Sequence, residues 1–108
     1  MANTFKSYTK ASVGTSTTDV YTVPGATTSI IIGFALANRV GGTVYADVII
    51  NKVSLDDVYI IKNAALYDGS AFEFNMGNKI ILEAGDKVQV VSNTSSSVDI
   101  MVSVLEQT

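Results

Sequence analysis

With 108 residues and a formal net charge of −3, the chain is long enough for one hydrophobic core and short for two. Hydrophobic residues make up 47% of it against 16% charged, which places it outside the disordered class. It has no His, Cys or Trp, so a disulfide framework, thiol chemistry and the commonest general base and metal ligand are all excluded.

The first segment, 1–19, is rich in Ser and Thr and reads as an N-terminal arm or an edge strand; 20–108 reads as the β-sandwich domain proper. From there, short Val- and Ile-rich runs alternate with turn residues. The first run, at 20–23, ends at Pro24-Gly25, where the chain must turn. A strand over 30–37 follows, and Gly41-Gly42 predicts a hairpin onto 44–50. Asp56-Asp57 separates that strand from 58–64. Asp68-Gly69 carries a hairpin signal into 71–76, and Gly77-Asn78 sets this strand apart from 79–82. Ala84-Gly85-Asp86 turns the chain into 87–91, and a polar loop at 93–97 leads to the last strand, 98–105. No window holds a helical period. The expected fold is all-β: an antiparallel β-sandwich, jelly-roll or Ig-like, of eight or nine strands.

Period-two alternation assigns the faces. Val98, Ile100, Val102 and Val104 share one side, as do Val44, Ala46, Val48 and Ile50, and Phe72, Phe74 and Met76. Apolar residues on the opposite, nominally wet side are Tyr45, Ile49, Tyr59, Ile61, Met101 and Leu105. Of these Tyr45, Ile49, Tyr59 and Ile61 are the candidate subunit-interface residues.

Templates for chemistry find little to fit. Without His or Cys there is no Ser-His or Cys-His couple, and no Ser and Lys fall in a recognisable motif. Asp56 and Asp57 are adjacent at a turn, unlike two carboxylates held across a cleft. No loop alternates Asp and Asn as a dedicated calcium site does. No strand, Gly-rich loop and helix combine to cradle phosphate. The expectation is a protein that is no enzyme and has no catalytic, cofactor or metal site. Lys6, Lys10, Arg39, Lys52, Lys62, Lys79 and Lys87 are scattered, so nucleic acid is not an expected partner. No apolar run reaches the length of a membrane span and the first residues are polar, so neither membrane insertion nor secretion is expected.

Two stretches carry a family resemblance. Tyr21-Thr22-Val23-Pro24-Gly25-Ala26-Thr27-Thr28-Ser29-Ile30-Ile31-Ile32-Gly33-Phe34, continuing through Leu36-Ala37-Asn38 and Gly42-Thr43-Val44, resembles the opening of small structural proteins of tailed bacteriophage virions. The resemblance is particularly to those of marine and cyanobacterial phages. Lys62-Asn63-Ala64, Gly69-Ser70 and Gly77-Asn78-Lys79-Ile80-Ile81-Leu82-Glu83-Ala84-Gly85-Asp86-Lys87-Val88 resemble a later segment of the same proteins, and Ser97 through Glu106 their last strand. One departure is the order Gly25-Ala26, where the family pattern has Ala-Gly. The resemblance implies a virion protein, made in the host cytoplasm, that decorates and cements the outer surface of the head. Its partners would be the major capsid protein or other virion proteins and further copies of itself, a trimer being the favoured assembly. A neck or tail connector and a module binding host-surface carbohydrate are the alternatives.

Overall fold

A computed structural model describes residues 2–68 and 71–108, with side chains throughout these except at 72 and 74–78. The described residues form eight strands and no helix: β1 (Asn3–Val13), β2 (Thr18–Thr22), β3 (Thr28–Asn38), β4 (Val44–Asn51), β5 (Val58–Leu66), β6 (Ala71–Leu82), β7 (Lys87–Ser92) and β8 (Val98–Gln107). They make two four-stranded antiparallel sheets. Sheet I has the order β1-β8-β3-β6 and sheet II the order β2-β7-β4-β5.

The pairing has a simple rule. First pairs with last, second with second-last, and so inward: β1 with β8, β2 with β7, β3 with β6, β4 with β5. The chain is one long antiparallel hairpin, bent at 52–57 and rolled so that successive pairs fall in opposite sheets. Additional pairing of β3 with β8 and of β4 with β7 closes each sheet. This is the jelly roll, not the Ig-like arrangement, in which sequence-adjacent strands share a sheet.

The topology corrects the local turn readings. Gly41-Gly42 does not close a hairpin: β3 lies in sheet I and β4 in sheet II, so the segment crosses between sheets. The positive φ of Gly42, 88°, permits the tight turn without dictating what the turn joins. Gly69 lies outside the described residues, yet β5 and β6 also belong to different sheets, so no hairpin joins them. Gly77-Asn78 does not end a strand. β6 runs through it, and its register against β3 jumps from Ile31↔Ile80 to Gly33↔Asn75, a large bulge where a turn was expected. That fusion is why eight strands form rather than nine. Among the described residues the one sequence-local hairpin is β4–β5.

The alternation is preserved where strands are regular. Val98, Ile100, Val102 and Val104 are buried, as are Val44, Ala46, Val48 and Ile50. They meet Ile31, Leu36, Leu66, Leu82, Val88 and Val90 in one core between the sheets. The face expected of Phe72, Phe74 and Met76 falls on side chains outside those described.

Buried polar groups tie the two ends of the roll. At one end the Asp86 carboxylate accepts from the Val53 and Glu83 amides at 2.9 and 2.8 Å and pairs with Lys52 at 2.6 Å. Next to it Gly85 adopts a φ of 90°, and a Cβ there would come within 2.9 Å of Val53 Cγ2, so the turn requires glycine. At the other end the Asn38 side-chain amide donates to the Gly42 and Leu66 carbonyls at 2.7 and 2.9 Å, and its oxygen accepts from the Val40 amide at 2.9 Å. All edge strands carry devices that discourage further pairing. β1 places Lys6 and Lys10 in the inward phase, β2 is five residues long, and β5 and β6 are bulged.

Candidate functional site

Two regions stand out once the roll is built: a buried polar cluster at one end of sheet I, and the outer face of that same sheet.

The cluster is centred on Glu106, whose side chain is 4% exposed. Tyr21 and Tyr8 donate their hydroxyls to its Oε2 at 2.6 and 2.8 Å, and Lys6 Nζ lies 3.2 Å from its Oε1. The two tyrosine rings stack with centroids 4.3 Å apart. Burial alone would push the Glu106 carboxyl up; donation from Tyr21, Tyr8 and Lys6 outweighs it and holds the group below its ordinary value. Burial and the bond to Glu106 both push the Tyr21 phenol up. A carboxylate saturated with donors, beside phenols that hold their protons, is suited to fastening β1 and β2 onto β8 rather than to moving protons.

The outer face of sheet I is built by register. Phe5 pairs with Leu105, Leu105 with Ile30 and Ile30 with Ile81, so four bulky apolar side chains, one per strand, form a row straight across the sheet. Phe5 is 74% exposed and Ile81 60%. The inward row directly beside it is Thr4, Glu106, Ser29 and Leu82. At this end the usual polarity is inverted: apolar residues face out and a charged residue faces in. Further along the strands, past the exposed Ile32 at the β3 bulge, the face drops to small residues. Gly33, Ala35, Ala37 and Ala71 surround Met101 and leave two shallow depressions, of ≈ 200 and ≈ 330 Å³.

The sequence-predicted interface residues lie elsewhere. Tyr45 and Tyr59 are exposed and Ile49 half-buried on the outer face of sheet II. Ile61 is not with them: it is 8% exposed, a core residue. The register of β4 on β5 shifts on both sides of Val48↔Ile61, and these bulges turn Ile61 inward while Tyr59 stays opposite Ile49 on the outside. A strict period of two across 58–64 therefore misassigned it. Around Tyr45, Ile49 and Tyr59 the surface is polar. Asp19 accepts from Gln89 at 2.8 Å and from Lys87 at 3.2 Å, Asp47 from Lys62 at 3.3 Å, and the Lys62 ammonium sits 4.2 Å over the Tyr59 ring.

Among the described residues no three acidic side chains gather into a group able to hold a metal. Asp57 accepts from the Asn51 side-chain amide at 3.2 Å. No helix among them is long and apolar enough to cross a membrane.

The row Phe5–Leu105–Ile30–Ile81 is the feature sequence reading missed. Leu105 reads as apolar on the wet side, but its alignment with the other three depends on pairings up to a hundred residues apart. One local signal existed. Glu106 continues the inward series Val98, Ile100, Val102, Val104, and a charge in the core phase marks Leu105 as an outward residue with an unusual inner neighbour.

No family model matches the chain, and no curated protein or solved structure matches it either.

Proposed function

We propose that this protein is a bacteriophage virion structural protein that acts through its surfaces, as a decoration protein on the outside of the head, without catalysis or cofactor. The observation that carries the reading from the structure is the exposed apolar face of sheet I on a fold with blunted edges. Its ordered resemblance to small virion proteins supplies the particle. A small roll with an exposed apolar face gains little from a single contact. Repeated around a symmetric shell, identical weak contacts add up to firm attachment. The proposed partners are the major capsid protein or another virion protein, and further copies of the chain.

Reconstruction of particles containing the protein tests the reading. Density for the roll on the outer head surface is the expected result. Density confined to the neck or tail would replace the decoration role with that of a connector, and particles without it at any position would overturn the virion assignment.

A further inference from the structure

We propose that the outer face of sheet I is a docking surface for a second copy of this chain. The two copies pack sheet against sheet about a twofold axis that runs across the strands.

The face is self-complementary in shape. One end carries the raised row Phe5–Leu105–Ile30–Ile81; the other, around Ala37 and Ala71, carries the ≈ 330 Å³ depression. A twofold axis across the strands reverses strand direction and keeps strand order, so the row of each copy lies over the depression of the other. This is the condition an isologous contact must meet: one patch, facing itself, with bumps opposite hollows. An axis along the strands would set row on row and hollow on hollow.

Area and charge agree. Four strands at about 4.8 Å spacing, ten to twelve residues long at about 3.3 Å each, give a face of roughly 650 Å². Two such faces remove about 1,300 Å², within the range of specific interfaces. Each copy carries −3, so copies repel except through a face with little charge of its own. On this face the charges balance: Asp99 pairs with Arg39 at 3.0 Å, while Glu73 on edge strand β6 borders the ≈ 200 Å³ depression and Lys10 on the opposite edge strand β1 borders the ≈ 330 Å³ one.

The inverted end argues that the row is not residue of core-building. Leu105 faces out and Glu106 in because they continue the phase of Val98, Ile100, Val102 and Val104, and exchanging the two residues in sequence would have buried the apolar side chain and exposed the charge; burial of the row by a partner is what the observed order gains. Edge-to-edge pairing is disfavoured by the lysines of β1 and the bulge of β6, which leaves the face. The inference does not rest on the virion reading, but it uses the same face: a pair that buries the row leaves attachment to a shell to the rest of the roll. The pair differs from the expected trimer, whose contacts join two different patches, whereas this face meets itself.

The test uses the full chain. Light scattering at high micromolar concentration should give twice the 11.4 kDa chain mass. Ile81→Asp should return it to a single copy with an unchanged circular dichroism spectrum, while Ile49→Asp, on sheet II, should leave the pair intact. A cross-link fixes the axis. The chain has no cysteine, so the double variant Ile30→Cys/Ala37→Cys presents only the introduced thiols. Seven residues of strand separate them within one copy by roughly 23 Å, beyond a bismaleimide of about 10 Å reach, which matches the spacing of packed sheets. The double variant should cross-link into covalent dimers and neither single variant should. A wild-type mass of one or three copies, dispersal by Ile49→Asp in place of Ile81→Asp, or cross-linking of Ile30→Cys alone would each overturn the proposal.

Discussion

The two outer faces of this roll differ far more than the two inner ones. Inside, both sheets present the same Val, Ile and Leu alternation to a common core. Outside, sheet II is a solvated surface where Lys87 and Gln89 both donate to Asp19, and Lys62 donates to Asp47 while sitting over the Tyr59 ring. Sheet I has an apolar row and a floor of small residues. The fold dictates the inner pattern, since only burial between the sheets stabilises the roll. It leaves the outer pattern free, so a difference there reflects what each face meets.

The largest expected effect breaks the comparison at its inner side. Ile61→Asp buries a charge without a partner and should cost more than about 4 kcal/mol, enough to unfold a domain of this size. Ile81→Asp places the same charge in water on sheet I and should change stability by no more than about 0.5 kcal/mol when measured dilute, so that self-association does not contribute. Urea denaturation of both variants decides it. A folded Ile61→Asp variant would return that residue to the outer face.

Glu106 gives the next largest. Glu106→Gln removes a charge-assisted set of bonds and should cost about 2 kcal/mol near neutral pH. The pH dependence has a definite sign. Because the folded carboxyl is held below the ordinary value of 4.5, the unfolded chain takes up the proton first on acidification. The stabilisation is complete above that value and is lost as pH falls through the lowered folded one. Urea midpoints taken down through this window should fall in the wild type and fall less in Glu106→Gln. Some acid sensitivity should remain, since Asp86 is also held low: its burial is outweighed by Lys52 and the Val53 and Glu83 amides.

How much of this was legible follows from distance along the chain. Strand composition and period identified the strands, the all-β class and the inward faces of β4 and β8, because each depends on residues within one strand. Which strands pair did not follow from turns. Gly41-Gly42 has the chemistry of a hairpin and serves as a crossing, since the partner of β3 is chosen by a core assembled from both ends of the sequence. Bulges were the second loss. One residue out of phase moved Ile61 from surface to core, and Gly77-Asn78 bent a strand that it had seemed to end. The row across sheet I was illegible for both reasons, because it needs the pairing and the register together.

The β2–β3 crossing offers a smaller effect of opposite sign. The left-handed position of its turn is held by Ala26, at a φ of 55°, not by the neighbouring Gly25. An L-residue there costs roughly 1–2 kcal/mol, while a glycine adds about 0.4–1 kcal/mol of freedom to the unfolded chain. Ala26→Gly should therefore stabilise by about 0.5–1 kcal/mol and raise the melting temperature. A lower one would mean that the turn does not hold Ala26 in this conformation.

The smallest effect isolates the outer face of sheet II. Asp19 is also held below its ordinary value, first by the hydrogen bond from Gln89 and then by Lys87, but it is nearly half exposed and water screens both partners. Asp19→Asn should therefore cost only about 0.3 kcal/mol, and 1 M salt should erase most of the difference, since screening at that strength acts within about 3 Å. The sign with pH is the same as for Glu106: the contribution is present above the ordinary 3.8 and lost as the pH falls through the lowered value. The two carboxylates thus make a matched pair. Glu106, sealed behind the apolar row, should keep its effect in high salt, whereas Asp19, on the wetted face, should not. Urea titrations of both variants with and without salt measure the contrast directly. A large, salt-resistant loss at Asp19, accompanied by a change in solution mass, would show that sheet II is the covered face and sheet I the solvated one.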